Sequence, residues 1–396
     1  MPLILIARLF TSLLSWILLA ALLYFGWSWY QGELFRSADG DLVRIREDWR
    51  LWVVAFLMAW SVFGGFILHP ILAHPDRRIL NTARGEDGHQ ISDTNGASLY
   101  METHGHLQAP PLILTHGWGM DSTIWGYAKD DFSDTFRVIA WDLPGMGRSK
   151  TGSGGITLAA FAISLKQVIE QTAEEKVILV GHSIGGMVVQ TLARDFPAFF
   201  EARVAGTVLI NTTYTNPLRT MLFSRSALTL QKPLIEPMMW LTRCLMPFAW
   251  VNGWQSYFNG ATHLANRIGF GPRVTRSQLK HTALLSTRNS PGAQARGNLA
   301  MFAWDASEAL RTVTGPVLVI GSKGDLVTKA IASETIATSA PSGHLLLVEA
   351  ANHMGFLEEF EIYNEAIVAF AHQTQRGEME SIRLPRGPSP YRPIVT

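Results

Sequence analysis

The chain has 396 residues, enough for one large or two ordinary domains with an ample apolar core. A formal net charge of +1 and the lack of any basic tract resembling a nucleic-acid module leave no expectation of a nucleic-acid partner. Cys244 is the sole cysteine, which excludes an intrachain disulfide and gives no thiolate cluster for a metal.

The first 75 residues depart from the composition of a soluble protein. Leu9 to Tyr30 is a run of 22 residues without a charge, and Leu51 to Leu72 is a second run in which only His69 titrates. As helices, such runs reach roughly 33 Å, against a hydrocarbon core of about 30 Å. Trp27, Trp29 and Tyr30 close one run, and Trp49 and Trp52 open the other, where an aromatic belt would lie. A transmembrane hairpin with a polar connector is therefore expected over 1–75, with the lipid bilayer as a partner. A signal peptide fits poorly, because the apolar stretch is too long and no small-x-small cleavage site follows. An interfacial hairpin would need a polar face that neither run shows. Arg36, Arg44, Arg46 and Arg50 in the connector balance Arg8, Arg77, Arg78 and Arg84 on the other side, so the positive-inside count is a tie. With no disulfide and no cleavable export signal, the reading leans to a cytoplasmic catalytic unit.

Past Pro75, short apolar segments alternate with helical ones, as in a largely parallel sheet with crossover helices. His89 to Ser92 and Ala97 to Glu102 flank Thr94-Asn95-Gly96 as an opening hairpin. Pro111 to Thr115, Phe136 to Trp141, Val177 to Val180, Val204 to Ile210, Pro316 to Ile320 and His344 to Val348 are expected strands. Leu158, Phe161, Leu165, Val168 and Ile169 give an amphipathic helix. Helix-like stretches broken by prolines fill 213–300, an inserted helical cap between two parts of an α/β core at 76–212 and 301–375. The Pro-, Gly- and Arg-rich tail at 376–396 is expected to be unstructured.

Gly181-His182-Ser183-Ile184-Gly185 lies between an expected strand and helix, where a sharp bend demands small residues on both sides of the serine. A serine hydroxyl is a poor nucleophile near neutral pH, so it requires a histidine base and usually a carboxylate to orient that base. His353 and Asp325 each follow a late strand, at the carboxyl edge of the sheet where sites in open α/β folds occur. The alternatives are that Asp325 instead caps the following helix at Thr328, or that Asp305, at the cap border, is the triad acid. His116 and His182 are read as structural, Asp142 as a turn-fixing residue, and Gly185 and Gly186 as sites of close packing.

In that order, Ser183, Asp325 and His353 resemble the triad of the α/β-hydrolase fold superfamily, and the likeness extends over about Gly88 to His372. Thr115-His116-Gly117-Trp118 is similar to the family's His-Gly oxyanion loop, and Trp141 to Ser149 (WDLPGMGRS) to its D-x-P-G-x-G-x-S segment. The resemblance implies oxyanion donors at the backbone N–H of Trp118 and Ile184, which would meet the charge that forms on a carbonyl oxygen under attack. It implies an acyl-enzyme on Ser183 and requires no cofactor or metal. Serine at this position sets the chain apart from the haloalkane dehalogenases and epoxide hydrolases of this fold, which use aspartate.

Ten basic residues against Glu236 alone make 213–300 cationic, and Trp125, Met239, Trp240 and Phe248 are candidate substrate contacts in or beside an aromatic, Met-rich cap. The expected function is membrane-anchored hydrolysis of hydrophobic, acylglycerol-type carboxylic esters. The same triad would equally serve thioester or amide hydrolysis, acyl transfer or carbon–carbon bond hydrolysis. A catalytically silent, membrane-bound binding module is the alternative outside enzymes.

Overall fold

The computed structural model describes residues 2–172 and 174–377. The expected tail lies, from residue 378 onward, outside the described residues, while its first residue, Arg376, still belongs to the last helix. Ten strands are found among the described residues. β1 (Glu33–Arg36) and β2 (Leu42–Ile45) form a separate antiparallel pair. β3 (His89–Ser92), β4 (Ser98–His104), β5 (Pro111–Thr115), β6 (Arg137–Trp141), β7 (Val177–His182), β8 (Val204–Ile210), β9 (Val317–Ser322) and β10 (Gly343–Val348) make one eight-stranded sheet. Its order is β10-β9-β8-β7-β5-β6-β4-β3, and the six strands from β10 to β6 run parallel. The opening hairpin β3–β4 joins antiparallel at one edge.

The central strands β5 to β9 are almost wholly buried because they are mostly apolar, and their alternate residues feed two different cores, whereas the edge strand β3 is largely exposed. Ile113, Ile139, Leu179 and Val319 point to one side with Phe161, Leu165, Val188 and Ile336. Leu112, Leu114, Ile178, Val180 and Leu318 point to the other, with Phe132, Tyr363, Ile367 and Phe370. The helices that carry these partners are numbered with the rest of the chain: α1 (Pro2–Gln31), α2 (Asp48–Leu72), α3 (Gly126–Phe132), α4 (Leu158–Thr172), α5 (Ile184–Asp195) and α6 (Pro197–Arg203). Between β8 and β9 come α7 (Pro217–Thr220), α8 (Ser224–Leu230), α9 (Glu236–Cys244), α10 (Met246–Phe258), α11 (Ala261–Arg267), α12 (Arg276–Arg288) and α13 (Pro291–Phe302). The core then closes with α14 (Ala330–Ser339), α15 (Gly355–Glu358) and α16 (Phe360–Arg376).

Helices α1 and α2 contain apolar stretches, Phe10–Gln31 and Asp48–Leu72, long enough to cross a membrane by length and composition. Most of their surface is exposed, which is not the environment of a core helix in a soluble domain. They lie beside one another, with Phe25 edge-on to Trp49. The connector between them folds into the β1–β2 hairpin, which hydropathy gives no reason to expect, because its eight residues are short, mixed in polarity and exposed throughout.

One end of this helix pair is built into the cap. Ser12 bonds Asn252, and the buried Ser15 hydroxyl receives bonds from Ser256 (2.8 Å) and Asn259 (2.9 Å). On α2, Gly64 and Gly65 let the helix pass so close to the Tyr257 and Asn259 carbonyls that a Cβ would lie 2.9 and 2.6 Å from them. His69 Nε2 meets the Arg276 carbonyl at 2.7 Å, and Arg267 caps the Leu72 carbonyl at 3.1 Å.

Candidate active site

Three strand ends converge on one point. Ser183 follows β7 and precedes α5 with φ 57° and ψ −116°, a left-handed backbone that costs a non-glycine residue about 1–3 kcal/mol. The surrounding glycines permit it: a Cβ on Gly185 would stand 2.2 Å from the Thr115 carbonyl, and one on Gly186 would stand 2.8 Å from Thr212. Asp325 follows β9 and His353 follows β10. His353 Nε2 lies 3.0 Å from Ser183 Oγ, and His353 Nδ1 lies 2.9 Å from Asp325 Oδ2.

Asp325 divides its oxygens between two tasks. Oδ1 accepts the N–H groups of Val327 (2.7 Å) and Thr328 (2.8 Å), so it caps the following turn. Oδ2 accepts from Asn211 Nδ2 (2.9 Å) and Thr328 Oγ1 (2.7 Å) as well as from His353. Burial works to raise this carboxyl, but the facing imidazole and these donors outweigh it and hold Asp325 below the usual carboxylate range. An ionised Asp325 only accepts, so the proton of neutral His353 resides on Nδ1 and Nε2 is free to accept from serine. Asp305, the alternative acid, is instead bound by Thr215 (2.6 Å) and Ser307 (2.7 Å), away from His353.

The other polar residues brace this line. His116 accepts the Leu143 N–H at 2.9 Å and meets the Gly117 carbonyl at 2.8 Å, tying the loop after β5 to the loop after β6. His182 Nε2 meets the His353 carbonyl at 3.1 Å. Burial lowers both histidines, and for His182 the neighbouring His353 adds to the effect, so each stays neutral. Asp142 accepts the N–H groups of Ser122 (2.7 Å) and Arg148 (2.7 Å) and pairs with Arg84 at 3.1 Å.

Ile184 is the first residue of α5, so its N–H has no intrahelical acceptor and sits at the positive end of the helix dipole. Trp118 lies on the loop after β5, its ring against Gly297 of α13 and its indole N–H 3.2 Å from the Gln294 carbonyl. A small cavity of about 40 Å³ beside His353 is lined by Trp118, Gly119, Asn298 and, from the N-terminal helix, Arg8. A larger groove of about 410 Å³ lies between α1 and the cap, with Met239, Leu245, Phe248 and Trp16 in its walls. Arg8 and Gln294 border both.

The candidate substrate contacts therefore divide. Met239 and Phe248 line the groove, whereas Trp240 points outward at 60% exposure. Trp125 does not meet the expectation: the 3₁₀ turn Ser122–Trp125 directs it inward, where it is 2% exposed and packs on Phe356 with ring centroids 4.9 Å apart. Ser12 and Ser15 escaped the sequence reading, and Arg8 entered it only as a charge flanking the first apolar run, although the i, i+4, i+7 spacing of the three marks one face of a helix. The cationic cap is less open than its composition implies, since Lys232, Arg267 and Arg273 are engaged by Glu236, by backbone carbonyls and by Glu359.

A parallel sheet whose strand ends bring serine, imidazole and carboxylate into one hydrogen-bonded line defines a hydrolase of the α/β class. Known proteins agree with that class. The chain belongs to the alpha/beta hydrolase family, whose sequence profile matches residues 112–366. It is 24% identical over 292 residues, covering 69% of this chain and 97% of the relative, to RutD of Agrobacterium fabrum, whose name carries a provisional carbamate-hydrolase assignment. Among solved structures it is similar to the esterase RhEst1 of Rhodococcus sp. ECU1013 (TM-score 0.59, 22% identity, 75% of this chain and 99% of that one). It is equally similar to a bromoperoxidase of Bacillus anthracis (TM-score 0.59, 20% identity, 72% and 100% covered). Likeness at this level carries the fold and not the reaction.

Proposed function

We propose that the chain is a membrane-anchored serine hydrolase that cleaves hydrophobic carboxylic esters through an acyl-enzyme on Ser183. The observation that carries this reading is the unbroken line Ser183 Oγ, His353 Nε2 (3.0 Å), His353 Nδ1, Asp325 Oδ2 (2.9 Å). In the first half-reaction Ser183 Oγ bonds to the carbonyl carbon while His353 Nε2 takes its proton. The oxyanion faces the N–H groups of Trp118 and Ile184, each such donor being worth about 3 kcal/mol. The C–O bond to the leaving alcohol then breaks as His353 returns the proton to it. A water deprotonated by His353 attacks the acyl carbon, and the acid leaves with Ser183 restored.

The hydrophobic preference rests on the groove of about 410 Å³, whose walls include Met239, Leu245 and Phe248. Membrane anchoring rests on the length, apolarity and exposure of α1 and α2. Phe248, Val251 and Trp240 of the cap are exposed apolar side chains as well. A hairpin holding the site at the bilayer raises the local concentration of hydrophobic esters there.

The test is turnover of esters graded by acyl length, in lipid vesicles, by wild type and Ser183→Ala, with fluorophosphonate labelling in parallel. Wild type should label and favour long chains; Ser183→Ala should lose labelling and at least about a thousandfold of kcat. Free cleavage of short soluble esters with long ones ignored would refute the lipid part. An unlabelled wild type would favour a silent binding module.

A further inference from the structure

Arg8 is, among the described residues, the only charged side chain lining the apolar groove, and it also borders the small cavity beside His353. Its guanidinium donates to Gln294 Oε1 at 2.8 Å and to the Ser286 carbonyl at 2.9 Å. Both acceptors are neutral, and among the described residues no carboxylate pairs with it. Gln294 cannot turn away, because its nitrogen is committed to the carbonyls of Ser286 (3.1 Å) and Asn289 (2.8 Å), which fixes its oxygen toward Arg8. The cavity beyond carries further neutral polar groups from Asn266, Thr282 and Asn298. A guanidinium stays ionised under all ordinary conditions, and Arg8 is a part-buried cation with no counter-charge beside it among the described residues, an arrangement less favourable than a paired one.

Arg8 and Gln294 line both the groove and the cavity beside His353, so an ester that reaches the site from the groove would pass them. We propose that Arg8 binds an oxyanion, a carboxylate or a phosphate-type group, carried by the substrate between its reacting carbonyl and its apolar chain. This rests on the ester-hydrolase reading above and narrows its substrate to an anionic, single-chain amphiphile. The planar guanidinium suits two parallel oxygens, and its hold on Gln294 keeps it in place until the anion arrives. The N-terminal helix thus supplies a specificity-determining residue in addition to any anchoring role.

The test uses the full-length protein in a nonionic detergent and three substrates of equal chain length. They are monoethyl 3-decylglutarate, the analogue with the free carboxylate replaced by a carboxamide, and the analogue with a phosphonate there. Wild type should prefer an anionic substrate over the carboxamide by at least about tenfold in kcat/KM, and the better of the two anions identifies the group. Arg8→Gln should collapse that ratio toward one, while Arg8→Lys, which keeps the charge but not the two-pronged geometry, should retain only part of it. Equal cleavage of anionic and neutral substrates by wild type overturns the proposal even where Arg8→Gln does not fold. So does an Arg8→Gln protein that loses activity on all three by one factor, which is the behaviour of a structural seal. In either of these outcomes the hydrolase reading stands. Failure to cleave any of the three, with no fluorophosphonate labelling of Ser183, brings down the hydrolase reading together with this one.

Discussion

Five donors converge on the two oxygens of Asp325: two backbone N–H groups, Asn211, Thr328 and the His353 imidazole. An amide in its place must turn its NH₂ toward some of those donors. Asp325→Asn should therefore leave His353 without a fixed tautomer and lower kcat on a short ester by about 10³–10⁴. The same change bears on acid stability. A carboxyl held below its unfolded value of about 3.9 contributes stability that is fully present above that pH and is lost as pH falls through the lower, folded value. Thermal unfolding followed from pH 6 downward should show Asp325→Asn less stable throughout the upper range, with the gap to wild type closing below about pH 4. A constant gap across that range would show that Asp325 acts through shape alone. His353 and Asp325 were legible in the sequence because each follows a strand in the required order. Trp125 was not placed correctly because the sequence alone does not say which way a 3₁₀ turn points a ring.

At the scale of elements, α13 and the loop after β5 are in contact with no room between them. A Cβ on Gly297 would lie 2.0 Å from the Trp118 ring, and Phe161 stands behind that ring with centroids 6.0 Å apart. Gly297→Ala should push the loop and its N–H out of line, lowering kcat by about 10²-fold with little change in KM, alongside an overpacking cost of about 1–3 kcal/mol in unfolding experiments. Kinetics that change only in KM would place the glycine outside the oxyanion geometry. The sheet strands could be read from sequence because each is a run of four to seven residues bounded by turn residues. The docking of α1 could not, since Ser12 and Ser15 barely alter the hydropathy of a long apolar run, and their partners Asn252, Ser256 and Asn259 lie about 240 residues away.

Considered whole, the molecule has its site at one edge of a sheet, a cap over that edge, and a helix pair wedged into the cap. If that pair crosses a bilayer, the protein should stay with the membrane pellet through an alkaline carbonate wash; quantitative release to the supernatant would show that the pair only rests on the surface. Arg8 meets Gln294 across 286 residues of chain. At ribosomal speeds of about 5–20 residues per second, the first helix leaves the tunnel roughly 15–60 s before its partner exists. During that interval the groove has one wall and no cap. The specificity site assigned to Arg8 can therefore be completed only after the late cap helix has folded back onto the first helix, so the substrate pocket is assembled well after its first wall has been made.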